Sequence, residues 1–411
     1  MPQKRLLLIT QWFDPEPTFK GQLFARELVK LGFDVEVLTG FPNYPGGKVY
    51  PGYRIKWLQR EVIDGVRVTR VPLFPSHNQS PFGRILNYVT FAVSATIYGI
   101  IGAKKADVIY AYHPPLTVGF AAVLIRFFRQ IPVVYDIQDM WPDTLRATGM
   151  LQNPFMLRVV SMACQWVYKN VDQIVVLSPG FRKLLIDRNV PDSKIEIIYN
   201  WADETAITSN QTTSSRILLG PEGFRILFAG NMGKAQSLES VLVAAKLLQE
   251  KGSRIQFVFL GGGIQVASLK TTREKLGLQN VHFFPPVPMS EVGAYLKEAD
   301  ALLVHLRKDP LFEITIPSKT QAYMTVSKPI LMAVGGDASD LINRSGGGVS
   351  VEPENPEAIA MGALQLEHMS AEKLKLMGDK AGRYYQDELS VGVGVLRFDC
   401  LFKKIINRVS N

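Results

Sequence analysis

FRILFAGNMGKAQSLESVLVAAKLL, residues 224–248, runs from a strand through Gly230-Asn231-Met232-Gly233-Lys234 into a helix. Downstream of it, short apolar runs recur in IQFVFLGG (255–262), VHFFP (281–285), ALLVHL (301–306), PILMAV (329–334) and GGVSV (347–351). Upstream the same pattern passes through RLLLIT (5–10), DVEVLT (34–39), VRVTRV (66–71), DVIYAY (107–112), PVVYD (132–136), QIVVL (173–177) and IEIIY (195–199). Helix-length segments separate most of these runs. Strand and helix in series predict a parallel sheet covered on both faces, so two series predict two doubly wound α/β domains. The polar stretch Ser209 to Ser215 reads as the core of a linker over residues 201–223. The domains are then 1–200 and 224–384, with a final helix over 385–411 packing back on the first. No repeat of 20 to 50 residues is present, which sets solenoids aside.

With 411 residues, 47% of them apolar, the chain can bury a large core and is neither disordered nor fibrous. Its two cysteines, Cys164 and Cys400, assemble neither a disulfide framework nor a zinc site. The start, MPQKRLLLIT, reads as a first strand rather than a signal peptide, and a reducing cytosol is expected. The net charge of +9 is concentrated. Residues 51–105 carry Arg54, Lys56, Arg60, Arg67, Arg70, Arg84, Lys104 and Lys105 against Glu61 and Asp64 alone. Such a surface suits anionic lipid, nucleic acid or phosphorylated ligands. No groove-reading or base-stacking motif accompanies it, so nucleic acid is not expected. Within it, ILNYVTFAVSATIYGIIGA (85–103) has no charge and fits three readings: a membrane span, a buried crossover helix, or a helix packed on the domain that also touches a bilayer.

Open parallel sheets bind ligands at the carboxyl ends of their strands, and two such sheets facing each other make a cleft. After the first strand, Lys20 and Gly21 stand at the entry to a helix, and Asp14-Pro15-Glu16 reads as a turn. His113 ends the run DVIYAY and is stiffened by Pro114 and Pro115. Asp136 and Asp139 follow PVVYD; one is expected to cap the next helix and the other, Asp139, to face the cleft. Two glycines, Lys234 and a helix N-terminus suit a diphosphate, because dipole, backbone N–H groups and a cation act on the same oxygens. The pattern is neither a Walker loop nor GxGxxG. Gly261-Gly262-Gly263 predicts a close approach of backbone. Arg307, Lys308, Glu313, Ser318, Lys319 and Gln321 crowd HLRKDPLFEITIPSKTQAYMTVSKPI (305–330), a loop costly to order unless something binds it. Without an Asp-x-Asp and with only five histidines, no obligatory metal or other cofactor is expected.

TGFPNYPGGKVYPGYR (39–54), HPPLTVG (113–119), YDIQDMWPDTLRATGM (135–150), VVLSPGF (175–181), IIYNWAD (197–203), FAGNMGKAQSLE (228–239) and FEITIPSKTQAYM (312–324) together resemble family 4 of the retaining glycosyltransferases. The resemblance spans nearly the whole chain. It implies two facing Rossmann-like domains of the GT-B type, the N-terminal one binding the acceptor and the C-terminal one the nucleotide sugar. Its best match is the branch that moves an N-acetylated amino-deoxy sugar, such as N-acetyl-L-fucosamine, from a UDP donor to a polyprenyl-diphosphate-linked sugar in capsule or O-antigen assembly. That acceptor implies a cytoplasmic enzyme held peripherally at the inner face of the cell membrane, through residues 51–105. By the same resemblance Gly21 belongs to the first glycine turn, and Gly230, Asn231, Gly233 and Lys234 to the loop that holds the donor diphosphate. The family's Arg and Lys are replaced by Asn231 and Gln236, so the charge must come from Lys234, Lys319 or both. Its Glu-x7-Glu corresponds to Glu313 and Gln321, or, in a register fixed on Pro329, to Ile314 and Ala322. Glu313 and His113 would orient the donor sugar, Gln321 the ribose, and Asp139 would stand near the acceptor. A UDP-sugar 2-epimerase of the same architecture is the alternative.

Overall fold

The computed structural model describes residues 3–76, 81–208 and 219–410. Ser209 to Ser215, the expected linker core, lies outside them. The chain divides into two units, one of residues 1–177, 181–199 and 394–411, the other of 178–180 and 200–393.

In the first unit the apolar runs become β1 (Arg5–Thr10), β2 (Asp34–Gly40), β4 (Val66–Val71), β5 (Val108–Tyr112), β6 (Val133–Asp136), β7 (Gln173–Val176) and β8 (Ile195–Ile197). One further strand, β3 (Gln59–Ile63), escapes the sequence pattern because it is a half-exposed edge with no continuous apolar run. It pairs antiparallel with β4 through Asp64-Gly65, both at positive φ, the two-residue turn that Asp-Gly favours. The order is β3-β4-β2-β1-β5-β6-β7-β8, parallel everywhere else. Leu6 to Ile9 and Val108 to Tyr112 are buried on both faces, as the middle of a doubly covered sheet requires.

The second unit holds β9 (Phe224–Ala229), β10 (Ile255–Leu260), β11 (Val281–Phe284), β12 (Ala301–His305), β13 (Ile330–Ala333) and β14 (Gly348–Ser350) in the order β11-β10-β9-β12-β13-β14, all parallel. Phe228, Phe257, Val241, Leu242 and Leu303 belong to its core. Strand order reverses beside β1 in the first sheet and beside β9 in the second. These are the two switch points, and loops leaving their carboxyl ends diverge to leave room for a ligand.

Residues 201–208, at the head of the expected linker, are packed into the second unit. Trp201, Ala202 and Ile207 are buried, and the Tyr385 hydroxyl accepts from the Ala202 amide (3.1 Å) and donates to Glu204 (2.8 Å). The terminal segment is broken rather than a single helix: a π-turn over Tyr385–Leu389 precedes the helix Val391–Ser410. From Gly394 onward that helix belongs to the first unit, where Phe398 meets Phe24 and Tyr110, and Phe402 meets Phe33.

Candidate functional site

At the first switch point a buried ion pair organises the loops. Lys20 Nζ lies 2.6 Å from Asp136 Oδ2, and neither side chain has any exposed surface. Tyr110 Oη donates to the same oxygen (2.5 Å), and Gln138 Nε2 to the other (2.6 Å). Burial pulls the Lys20 ammonium down while Asp136 opposes it. Lys20 is therefore committed to the protein, and Asp136 joins strand ends instead of capping a helix. Gly21 precedes the helix Gln22–Lys30, and a Cβ there would fall 2.1 Å from Asp14 Oδ2, which accepts from the Gln22 amide. The glycine is required by that close packing. Asp14-Pro15-Glu16 is the turn foreseen, and Glu16 Oε1 accepts from the Asn43 and Tyr44 amides (both 2.7 Å).

His113 is buried at the end of β5, its amide donating to the Asp136 carbonyl (3.0 Å) and its ring edge-on to Trp141 and Tyr135. Nδ1 is buried without a hydrogen-bond partner among the described residues. Loss of water pushes the imidazole down to about 3, so it is neutral at working pH. Asp139, partly buried beyond β6, is raised to about 6 by desolvation. The loops after β1, β5 and β6 thus gather Gly21, His113 and Asp139 around the Lys20–Asp136 pair.

At the second switch point the glycine loops meet by backbone. Gly261 and Gly263, at φ +139° and +144°, leave no space for a Cβ, which would fall 2.2 Å from the Gly230 carbonyl oxygen and 2.4 Å from that of Met232. Gly230 itself is at φ +131°. The turn beyond differs from expectation. Lys234–Gln236 is a short 3-10 turn, the α-helix begins only at Glu239, and the Gly233 amide already donates to Gln236 Oε1 (2.9 Å). The helix dipole is therefore not offered at Lys234, and the amides of Gly230, Met232 and Gly233 are already bonded, the first two to the carbonyls of Leu260 (2.9 Å) and Gly262 (2.7 Å). Asn231 and Lys234 are exposed at the rim.

Lys319, in the first turn of the helix Ser318–Thr325, sends its amine inward. Nζ lies 3.4 Å from the centre of the Phe228 ring and 3.7 Å from where a side chain on Gly230 would begin. The residue is half-buried but the nitrogen itself is buried, has no hydrogen-bond partner among the described residues, and is pushed down to about 7 by desolvation. Glu313 is exposed at the end of the helix Pro310–Glu313, and its carbonyl packs against Gly336 at φ +61°, so it stands beside the loop after β13. Gln321 is turned away: it is buried, and with its amide assigned so that both groups are satisfied, the nitrogen donates to the carbonyls of Pro317 (2.9 Å) and Ser318 (3.2 Å) within its own helix start. That is a structural use of the amide. Arg307 pairs with Asp309, and Lys308 with Glu352.

Two residues that the sequence did not single out hold this arrangement. His305, the last residue of β12, donates from Nδ1 to the Gln236 carbonyl (2.6 Å) while Nε2 accepts from the Glu354 amide (3.2 Å). Burial lowers it to about 4, which keeps it neutral. Tyr323 Oη accepts from the Ala229 amide (2.7 Å) and fixes the end of β9. The signal available for His305 was its place, a polar residue closing an apolar strand at a switch point. Among the described residues no cluster of three or more His, Cys, Asp or Glu has metal-holding geometry.

The uncharged segment forms the helix Pro81–Ile101. One side belongs to the domain: Phe91, Ala95 and Tyr98 are buried, Asn87 Nδ2 donates to the Phe74 carbonyl (2.6 Å), and Tyr98 Oη donates to Glu36 (2.8 Å). These bonds fit a helix packed on the domain, not one crossing a bilayer. The other side exposes Ile85, Val89, Val93, Ile97 and Ile101. Beside it lies the helix Thr117–Arg129, for Gly99 admits Ile125 where a Cβ would fall 2.2 Å from it, and Arg129 donates to the Gly99 and Ala103 carbonyls. Phe120 stacks on Trp166 of the helix Pro154–Asn170. These neighbours expose Phe127, Phe128, Phe155 and Met162, and none of the three helices contains an acidic residue. By contrast, the basic residues of 51–105 are dispersed. Arg70 is buried against Glu61, and Arg67 pairs with Asp34.

Residues 22–201 match the family described as glycosyl transferase 4-like domain, and residues 210–383 that described as glycosyl transferases group 1. The chain is 27% identical over 264 residues to a Pseudomonas aeruginosa protein named probable glycosyltransferase WbjE, a match covering 63% of this chain and 65% of that protein. It is also 27% identical over 378 residues to WcaI of Escherichia coli (strain K12), a glycosyl transferase named for colanic acid biosynthesis, covering 86% and 89%. In fold it is similar to sucrose-phosphate synthase from Thermosynechococcus elongatus, with a TM-score of 0.72 at 13% identity over 99% of this chain and 100% of that one. Anabaena HepE in complex with UDP and glucose has a TM-score of 0.68 at 13% identity over 98% and 99%. Both domains therefore have the Rossmann-like fold of GT-B glycosyltransferases.

Proposed function

For a chain that is a glycosyltransferase, with a glycosyl transferase 4-like domain followed by a glycosyl transferases group 1 domain, we propose that it moves an N-acetylated amino-deoxy sugar from a UDP donor to a polyprenyl-diphosphate-linked sugar, with retention of configuration, in the assembly of a bacterial surface polysaccharide. The observation that carries the donor half is the buried amine of Lys319 beside the open Gly230 turn, at the switch point of the second sheet. A buried amine facing the space that a glycine leaves open suits an oxygen of a diphosphate. HepE, of the same fold, binds UDP and UDP-glucose, and the colanic acid in the name of WcaI supports a polysaccharide product.

In this reading the turn from Gly230 through Asn231 and Gly233 to Lys234, with Lys319, holds the diphosphate as it leaves. Glu313 and neutral His113 orient the donor sugar, and Asp139 stands near the acceptor hydroxyl. The work is positioning and stabilisation of the departing charge, which needs no metal of its own. N-acetyl-L-fucosamine is the first donor sugar to test.

The membrane partner is supported by the apolar outer faces of the three helices together with their basic, acid-free composition. Trp57, 91% exposed between Lys56 and Arg60, adds an amphipathic anchor of the kind found at bilayer interfaces. Peripheral attachment at the cytoplasmic face follows from a lipid-linked acceptor.

Thermal denaturation with a panel of UDP-, GDP- and dTDP-sugars tests the donor, because a matched ligand stabilises by mass action. A UDP-sugar is expected to raise Tm. Incubation of that sugar alone, without acceptor, should leave it unchanged; its conversion to an epimer would favour the 2-epimerase.

A further inference from the structure

Two lysines border the glycine turn of the second domain, and the structure treats them differently. Lys234 is exposed on the 3-10 turn, in water, with its charge solvated. Lys319 holds its nitrogen out of water against the face of Phe228, with no carboxylate or carbonyl bonding to it among the described residues. A buried ammonium without a counterion is costly, and a phenyl face returns only part of its lost hydration. The groups around it offer no compensation. From its own helix, Tyr323 is tied to Ala229. From β12, His305 is neutral, with both ring nitrogens bonded. From the loop after β12, Arg307 pairs with Asp309, and Lys308 with Glu352. β9 contributes Phe228 and the Gly230 turn, which carry no charge.

An anionic ligand at the Gly230 turn would reverse this balance. The nitrogen lies 3.7 Å from the position a Gly230 Cβ would take, so a phosphate oxygen lodged in the space that glycine leaves open comes within ion-pair reach. We propose that Lys319 is the group that meets the donor diphosphate, and that it waits as a neutral amine and takes up one proton from solvent as the diphosphate binds. The lone pair of Nζ accepts that proton, the ammonium forms against the diphosphate oxygens, and no other bond changes. Burial alone, which lowers Lys319 to about 7 in the empty protein, gives the sign: the diphosphate raises it, so protons are taken up above neutral pH. The inference rests on the donor reading above and refines it by separating the two lysines.

Isothermal titration of UDP into the full chain at pH 8, where UDP itself is fully ionised, in HEPES and in Tris, reads the proton count from the buffer dependence of the enthalpy. Uptake of close to one proton is expected, decreasing toward pH 6.5. Lys319→Met, a volume-matched change, should bind UDP roughly 10- to 100-fold more weakly and without uptake, the loss typical of a charged hydrogen bond. Lys234→Met should retain the uptake. Lys319→Arg, charged throughout, should bind UDP with no uptake. Binding of UDP by the unaltered protein without proton uptake, or uptake that survives in Lys319→Met, would overturn the inference and leave the donor reading standing. Failure of UDP, GDP and dTDP alike to bind would overturn the donor reading and the inference with it.

Discussion

Lys20 and Asp136 are separated by 116 positions in the chain and meet at 2.6 Å with no exposed surface on either side chain. The pair ties the loop after β1 to the end of β6, and Tyr110 and Gln138 complete the carboxylate's bonds. Removing one partner leaves a charge in a place water does not reach. Lys20→Met is expected to destabilise the first domain by about 3–5 kcal/mol. Denaturant titration followed by circular dichroism checks this, and a loss below about 1 kcal/mol would show that the pair contributes little.

The two first-domain candidates should differ in their dependence on pH. Asp139 is raised to about 6, so a role for its carboxylate predicts that kcat/KM falls as pH drops through about 6. His113, lowered to about 3, stays neutral across that range and adds no limb near 6.5. Asp139→Asn should abolish the acidic limb, whereas His113→Asn should lower the rate without moving it. An unchanged profile in Asp139→Asn would take that carboxylate out of the reaction.

Glu313 and Gln321 should separate by what each variant loses. Glu313 is exposed, so Glu313→Ala should leave Tm in place and lower kcat on the order of 10²-fold if it touches the sugar as charge develops. Gln321 satisfies two carbonyls inside its own helix start, so Gln321→Ala should cost about 1–3 kcal/mol of stability and leave the donor KM nearly unchanged. A raised KM with intact stability in Gln321→Ala would return that residue to the ribose.

Membrane attachment should need both the apolar faces and the charge. Ile97→Ser combined with Phe127→Ser and Phe155→Ser should reduce cosedimentation with vesicles containing anionic lipid, since each fully buried large apolar side chain is worth about 1.5–3 kcal/mol. Neutralising Arg84, Lys104 and Lys105 should weaken binding by about 1 kcal/mol per charge, and added salt should act the same way. Binding indifferent to both sets of changes would exclude this surface.

The sequence by itself determined the two α/β domains, because parallel strands inside a covered sheet are rich in apolar and β-branched residues, and thirteen of the fourteen strands among the described residues fall on such short runs. It also located the glycine loops, since a backbone that approaches another within Cβ distance admits only glycine, as Gly261 and Gly263 do. β3 was not legible: an exposed edge strand need not be apolar. Neither was the use of the charged residues. Lys20, Lys234 and Lys319 are equivalent as letters, each near a strand end. Only the tertiary structure made the first an internal ion pair, left the second in water and buried the amine of the third without a partner among the described residues, because a lysine's charge is set by the water and the carboxylates around its nitrogen, and those come from distant parts of the chain.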